Sequence, residues 1–126
     1  MKNLTLVIPA KKEKESLPNV LKELNQFNLN IIVVLEETDL ETINSIKEFN
    51  SKIIYQKNVG YGDALIEGIN NVSTEYFCIF NADGSFNPKE LISMYDLIQN
   101  NHFDFVFASR YEDNCSSEDD TIITYI

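Results

Sequence analysis

The chain has 126 residues, 44 % hydrophobic and 24 % charged, enough for one domain with a sizeable core and too few for two. No apolar run approaches the ~20 residues that span a bilayer, and the short apolar stretch near Met1 has no small-residue cleavage site after it, so neither a membrane helix nor a signal peptide is predicted. The net charge of −10, from 20 acidic and 10 basic residues, argues against nucleic acid as a partner, because a polyanion needs a basic face.

Half of the acidic excess lies in one stretch, with Glu112, Asp113, Glu118, Asp119 and Asp120 and no Lys or Arg among them. Any phosphate ligand of so acidic a chain would need a metal ion, helix N-termini or a few well-placed cations. The two cysteines, Cys78 in a predicted core strand and Cys115 in the acidic tail, indicate no disulfide framework and fit a reducing, cytoplasmic setting.

The elements follow in order. Asn3–Ile8 alternates and then turns continuously apolar, which reads as a strand, and Pro9–Glu13 follows as a loop. Ser16 is the expected N-cap of a helix with Pro18 in its first turn and Leu17, Val20, Leu21, Leu24 and Phe27 on its apolar face. Ile31–Leu35 is a β-branched strand. The polar loop Glu36–Asp39 then offers Thr38 or Asp39 as cap for a helix burying Leu40, Ile43, Ile46 and Phe49. Lys52–Tyr55 is a short third strand, and the glycine loop Asn58–Gly62 opens a helix carrying Ala64, Leu65, Ile69 and Val72.

Tyr76–Phe80 is an apolar run too short for a helix and rich in aromatics, read as a strand buried on both faces. It ends in Asn81-Ala82-Asp83-Gly84-Ser85. Hard oxygen ligands on a tight turn at such a strand end suit a divalent cation that holds a phosphate. The competing reading is an ordinary turn in which Asp83 and Ser85 bond their own backbone. Asn87-Pro88-Lys89-Glu90 starts a helix as N-cap, N1 and capping-box residue, with Leu91, Ile92, Tyr95 and Ile98 as its apolar face. Phe103–Ala108 is a fifth strand ending at Ser109-Arg110-Tyr111, and lone His102 precedes it as a solvent-facing loop residue. Thr121–Ile126 begins a further apolar pattern, read as the start of a missing segment or as a terminal strand or helix.

Strands alternating with helices through short connections predict a parallel sheet covered on both faces, with ligands beyond the carboxyl ends of its strands. Five loops are expected at that edge, carrying Glu13, Glu36, Lys57, Gly60, Asn81, Asp83, Ser85 and Arg110, the chain's only arginine. Its bidentate fork suits phosphate, although it could equally pair with the acidic tail. A P-loop is absent. The dinucleotide fingerprint should follow the first strand, where Pro9–Glu13 has no glycine. A receiver domain would need an acidic pair after the first strand and an aspartate after the third, and neither is present.

Five segments in order resemble family 2 glycosyltransferases of the GT-A fold, in particular the branch of polyprenyl-phosphate glycosyltransferases. Val7–Glu13 is similar to the opening strand and "IPAYNE" loop, and Val33–Thr38 stands where the family has "VVDDGS". Asn58–Gly68 resembles "N-x-G-x-G-x-A-L-x-x-G", Asn81–Ser85 with Pro88 and Leu91 resembles "DADGS…P…L", and Ala108–Tyr111 resembles "GSRY".

The resemblance implies an α/β fold: a three-layer sandwich with a mainly parallel sheet, Rossmann-like, forming a nucleotide-sugar-binding domain over residues 1–111. Residues 112–126 would be an acidic tail and the start of the segment with which family members complete the sheet and bind the acceptor. It further implies a metal-dependent transferase using Mg²⁺ or Mn²⁺ and a UDP- or GDP-hexose donor. The acceptor would be a polyprenyl phosphate, met at the membrane surface by a longer protein. Asp83 and Arg110 would be closest to the chemistry. Asp83, Asn81 and Ser85 would hold the metal, and Pro9, Glu13, Glu36, Lys57, Gly60 and Asn81 would contact the donor.

Three departures weaken the pattern. Asn81 replaces the first motif aspartate, which removes a charge from the metal site. Leu35-Glu36 leaves one carboxylate where the family has two. Lys11 and Lys12 stand for Tyr and Asn of the opening loop, either as replacement charge neutralisation or as solvated surface. A module that keeps the fold without turnover is therefore the alternative. A nucleotidyltransferase would show a glycine-rich basic loop after the first strand, which Lys11-Lys12 without glycine does not supply.

Overall fold

The computed structural model of the chain describes residues 2–101, 105–108 and 121–125. In chain order the elements are β1 (Leu4–Pro9), α1 (Leu17–Leu24), β2 (Asn30–Leu35), α2 (Leu40–Ser45), β3 (Lys52–Tyr55), α3 (Tyr61–Asn70), β4 (Tyr76–Ile79), α4 (Pro88–Asn101), β5 (Phe105–Ala108) and β6 (Thr121–Tyr125). They form one sheet in the order β3-β2-β1-β4-β6-β5. β1 pairs in parallel with β2 and β4, and β2 with β3, while β6 runs antiparallel to β4 and β5. The sheet is mainly parallel, as expected. The apolar pattern at Thr121–Tyr125 forms a strand, which separates β5 from β4.

The period-two pattern of the strands divides the core. Leu4, Leu6 and Ile8 of β1, Val33 and Leu35 of β2, and Tyr76, Cys78 and Phe80 in and just after β4 pack with α1, α2 and α4. Val7, Ile32 and Val34 face the other way, onto Ala64 of α3. α3 lies close to the sheet because Gly68 has no side chain: a Cβ there would overlap Val7 and reach Val34 Cγ2 at 3.0 Å. Burial pushes the Cys78 thiol far above its ordinary value, which makes it an inert core residue as the sequence implied.

Several local expectations shift. Leu40 is 63 % exposed, and Thr42 takes the buried place beside Ile43 because α2 spans only Leu40–Ser45. On α4, Met94 is buried with Leu91, Tyr95 and Ile98, whereas Ile92 is half-exposed. The Tyr95 ring meets Tyr76 edge-on at 5.9 Å, which sets the rotation of α4 on β4. Asn87 caps α4 as predicted, its Oδ1 accepting the Lys89 N–H at 3.0 Å. Ser16 does not bond back into its own helix, and neither does Asp39. Both side chains are engaged across the site.

Candidate functional site

From β1 the chain steps outward to β2 and β3, then returns to lay β4 against the other side of β1. The β1/β4 boundary is the switch point at which open α/β sheets form a crevice. A cleft of about 420 Å³ opens there, lined by the loop after β1, the end of β2, the β3–α3 loop and the turn after β4.

The first wall is Pro9–Glu13. Ala10 N–H donates to Val34 O at 2.9 Å, Lys12 N–H to Asp39 Oδ2 at 2.8 Å and Glu13 N–H to Thr42 Oγ1 at 3.1 Å. Lys12 adopts φ +54°, a left-handed conformation that a non-glycine residue takes only where its surroundings hold it. Here the surroundings are Asp39 and Thr42. The Ser16 hydroxyl lies 2.5 Å from Glu13 Oε2 and 2.8 Å from Ala82 O, so it ties this wall to the opposite one.

The second wall is Asn81–Asp83. The β1–β4 pairing continues one step beyond the strand, with Phe80 N–H donating to Val7 O at 3.0 Å. The turn is anchored at both ends by Phe80 and Phe86, buried and edge-to-face at 5.3 Å. Ser85 N–H donates to Asp83 Oδ1 at 2.9 Å, the Asx turn weighed as the ordinary reading. That bond engages one carboxylate oxygen and leaves Oδ2 for a ligand, so the two readings of Asp83 coexist.

The third side is the glycine loop. Gln56 Nε2 donates to Asn58 O at 2.8 Å and to Gly60 O at 3.1 Å, and Asp63 accepts from Asn58. Gly60, at φ +117°, makes the turn into α3 that residues with a Cβ rarely adopt. Exposed Tyr61 and buried Ala64 carry this side into the cleft.

Six of the predicted site residues therefore meet: Pro9, Glu13, Glu36, Gly60, Asn81 and Asp83 all line the cleft. Two others do not. Lys57 is not among the lining residues, and its Nζ lies 3.9 Å from Glu67 Oε1 of α3. The Ser85 hydroxyl is buried without a hydrogen-bond partner, and Ser85 is not among the lining residues. Arg110, like Ser109, Tyr111, His102, Cys115 and the acidic run from Glu112 to Asp120, lies outside the described residues.

The sequence reading missed Gln56, Tyr61 and Ala64, and treated Lys11 only as a departure from the family pattern. Strand parity would have found Gln56. Ile54 packs on the α3 side of the sheet, and the residue two positions on faces the same way.

Glu13, Glu36 and Asp83 place three carboxylates in the cleft against one ammonium, that of Lys11. Among the described residues no three His, Cys, Asp or Glu side chains are grouped closely enough to hold a metal by themselves. Asp83 with the neighbouring Asn81 amide still fits an ion such as Mg²⁺, which usually takes one or two carboxylates and completes its shell with phosphate oxygens and water.

Fold and cleft together define a mainly parallel α/β protein with a cleft at the sheet's switch point. The Glycosyl transferase family 2 model matches residues 5–123, and the chain belongs to that family. It is 28 % identical over 88 residues to an uncharacterized glycosyltransferase of Mycobacterium tuberculosis, covering 70 % of this chain and 40 % of that one. It is 26 % identical over 117 residues to the dolichol-phosphate mannosyltransferase of Pyrococcus furiosus, covering 86 % of this chain and 33 % of that protein. The chain thus spans well under half the length of these relatives. Among solved structures, glucosyl-3-phosphoglycerate synthase from Mycobacterium tuberculosis, in complex with Mn²⁺, UDP and glucosyl-3-phosphoglycerate, superposes with a TM-score of 0.77 at 14 % identity. That match covers 98 % of this chain and 57 % of the synthase. The GT-A fold implied by the sequence motifs is thereby shown.

Proposed function

We propose that this chain is the donor-binding part of a glycosyltransferase that moves a hexose from a UDP- or GDP-sugar to a phosphate-bearing acceptor, with a polyprenyl phosphate as the acceptor class. The observation that carries the reading is the meeting of Pro9, Glu13, Glu36, Gly60, Asn81 and Asp83 in one switch-point cleft of a family 2 chain. Glu13 and Glu36 lie on the side of the nucleoside, and Gly60 lets the ligand approach the backbone closely. Asp83 and Asn81 would hold Mg²⁺ or Mn²⁺, and Arg110 would meet the phosphates. The bound ion supplies Lewis-acid stabilisation of the diphosphate leaving group.

In the transfer, an oxygen of the acceptor phosphate forms a bond to the anomeric carbon. The bond from that carbon to the donor's β-phosphate oxygen breaks, and the nucleoside diphosphate leaves with the electron pair. The acceptor phosphate is already ionised, so no carboxylate of this chain is needed as general base. The dolichol-phosphate mannosyltransferase relative supports the lipid acceptor, and the synthase complex supports a UDP donor with Mn²⁺. In this proposal the reaction takes place at the cytoplasmic surface of a membrane that holds the lipid; no helix among the described residues is long and apolar enough to cross it.

A second reading has its own support. With Asn81 and Leu35 in place of carboxylates, the module binds a nucleotide sugar and does not turn it over. Radiolabelled UDP-glucose and GDP-mannose, offered with polyprenyl phosphate in Mn²⁺, decide between them. Transfer of label to lipid with release of nucleoside diphosphate supports the transferase. Donor binding with neither transfer nor Mn²⁺-dependent hydrolysis of the donor to nucleoside diphosphate, a reaction that needs no acceptor site, supports the non-catalytic module.

A further inference from the structure

Lys11 faces the donor cleft and also lines a second one of about 540 Å³, bounded by Lys12, Glu36, Asp39, Leu40 and Thr42. Of the other lysines of the neighbourhood, Lys12 lines only the second cleft, and Lys14 and Lys57 each face a carboxylate. Lys14 Nζ sits 2.6 Å from Glu41 Oε2, and Lys57 is drawn to Glu67. Lys11 has no ion-pair partner among the described residues, and its backbone is fixed on both sides. Ala10 N–H is held by Val34 O, and Lys12 N–H by Asp39, at the left-handed turn of the loop. An ammonium on a fixed backbone loses less entropy on meeting an anion than one on a free loop.

The charge balance gives it a task. The cleft's carboxylates outnumber its cations, and the metal position has Asp83 with one oxygen already spent on Ser85 and a neutral amide at Asn81. A diphosphate entering there is repelled unless a further positive charge meets it.

We propose that Lys11 is the diphosphate-binding cation of the donor cleft, sharing with the metal the neutralisation that a second motif carboxylate would have let the metal provide alone. This rests on the nucleotide-sugar reading above. Lys11 Nζ donates to a phosphate oxygen, and the contact tightens as leaving-group charge develops, so Lys11 serves both binding and departure of the nucleoside diphosphate.

Isothermal titration of the full chain with UDP, GDP and the corresponding nucleosides, in Mn²⁺ and in EDTA, tests it. Lys11→Gln should weaken the nucleoside diphosphate by about 10-fold or more and leave the nucleoside unchanged, with the larger loss in EDTA. Lys11→Arg should stay within about 3-fold of the native chain, because the charge is kept. Lys22→Gln, an exposed control in the last turn of α1, should have no effect. Native-like diphosphate binding by Lys11→Gln, an equal loss for nucleoside and diphosphate, or an equal loss in Lys22→Gln would overturn the proposal. A native chain that binds neither UDP nor GDP removes the donor-site reading and this inference with it.

Discussion

The two walls of the cleft are held in opposite ways. The wall after β1 is latched from outside: the N–H groups of Lys12 and Glu13 are answered by Asp39 and Thr42, 27 and 29 residues further along the chain. The wall after β4 holds itself, through the Asp83–Ser85 bond and the aromatic pair that brackets it. One hydroxyl, that of Ser16, reaches from the first wall to the second. The contrast explains α2. This helix is short, and Leu40 at its start is exposed, yet Thr42 within it and its N-cap Asp39 supply the two acceptors that keep the Lys11–Glu13 backbone in place. The self-held wall presents the motif carboxylate, and the latched wall presents the cation.

That contrast can be broken at the latch. Thr42→Val keeps shape and volume but leaves the Glu13 N–H without its acceptor in a half-buried place. Urea unfolding should give a loss of about 2 kcal/mol, with faster amide exchange at Lys12 and Glu13 and none gained at Ser85. Equal exchange gains on both walls would mean that they are not held separately.

The self-held wall can be sharpened at Asn81. Asn81→Asp restores the second motif carboxylate, and Mn²⁺ should then bind about 10-fold more tightly in the presence of UDP, by titration calorimetry. An unchanged affinity would place the metal away from this turn. Ser85→Ala gives the smallest effect. It removes a buried hydroxyl that has no partner, so stability should hold or rise by less than about 1 kcal/mol, and Mn²⁺ affinity should not change. A clear loss of Mn²⁺ affinity would return Ser85 to the ligand set.

The same contrast separates what the sequence revealed from what it concealed. The turn after β4 was legible because its determinants are local: an apolar run that stops, an Asx turn, and Asn87-Pro88 opening the next helix. The order of strands and helices followed from periodicity for the same reason. The latch was not legible, since Asp39 and Thr42 read locally as a cap and a helix residue, and only the fold brings them to Lys12 and Glu13. Leu40 was misplaced because a six-residue helix is too short for its apolar spacing to decide which face is buried. Lys57 attracted notice as a charge beside the glycine loop, when the alternation of β3 points its neutral neighbour Gln56 into the cleft. The position of β6 between β4 and β5 depends on pairing across more than 40 residues of chain, which no local pattern contains.

The central claim is that the turn after β4 is the metal end of a nucleotide-sugar site. The most direct test is calorimetric titration of UDP and GDP, with and without Mn²⁺, into the native chain and into Asp83→Ala, with circular dichroism to verify that the variant is folded. The account predicts that one of the two nucleotides binds the native chain, that Mn²⁺ strengthens the binding, and that Asp83→Ala loses the Mn²⁺-dependent part. Binding of neither nucleotide, or binding indifferent to both Mn²⁺ and Asp83, would contradict it.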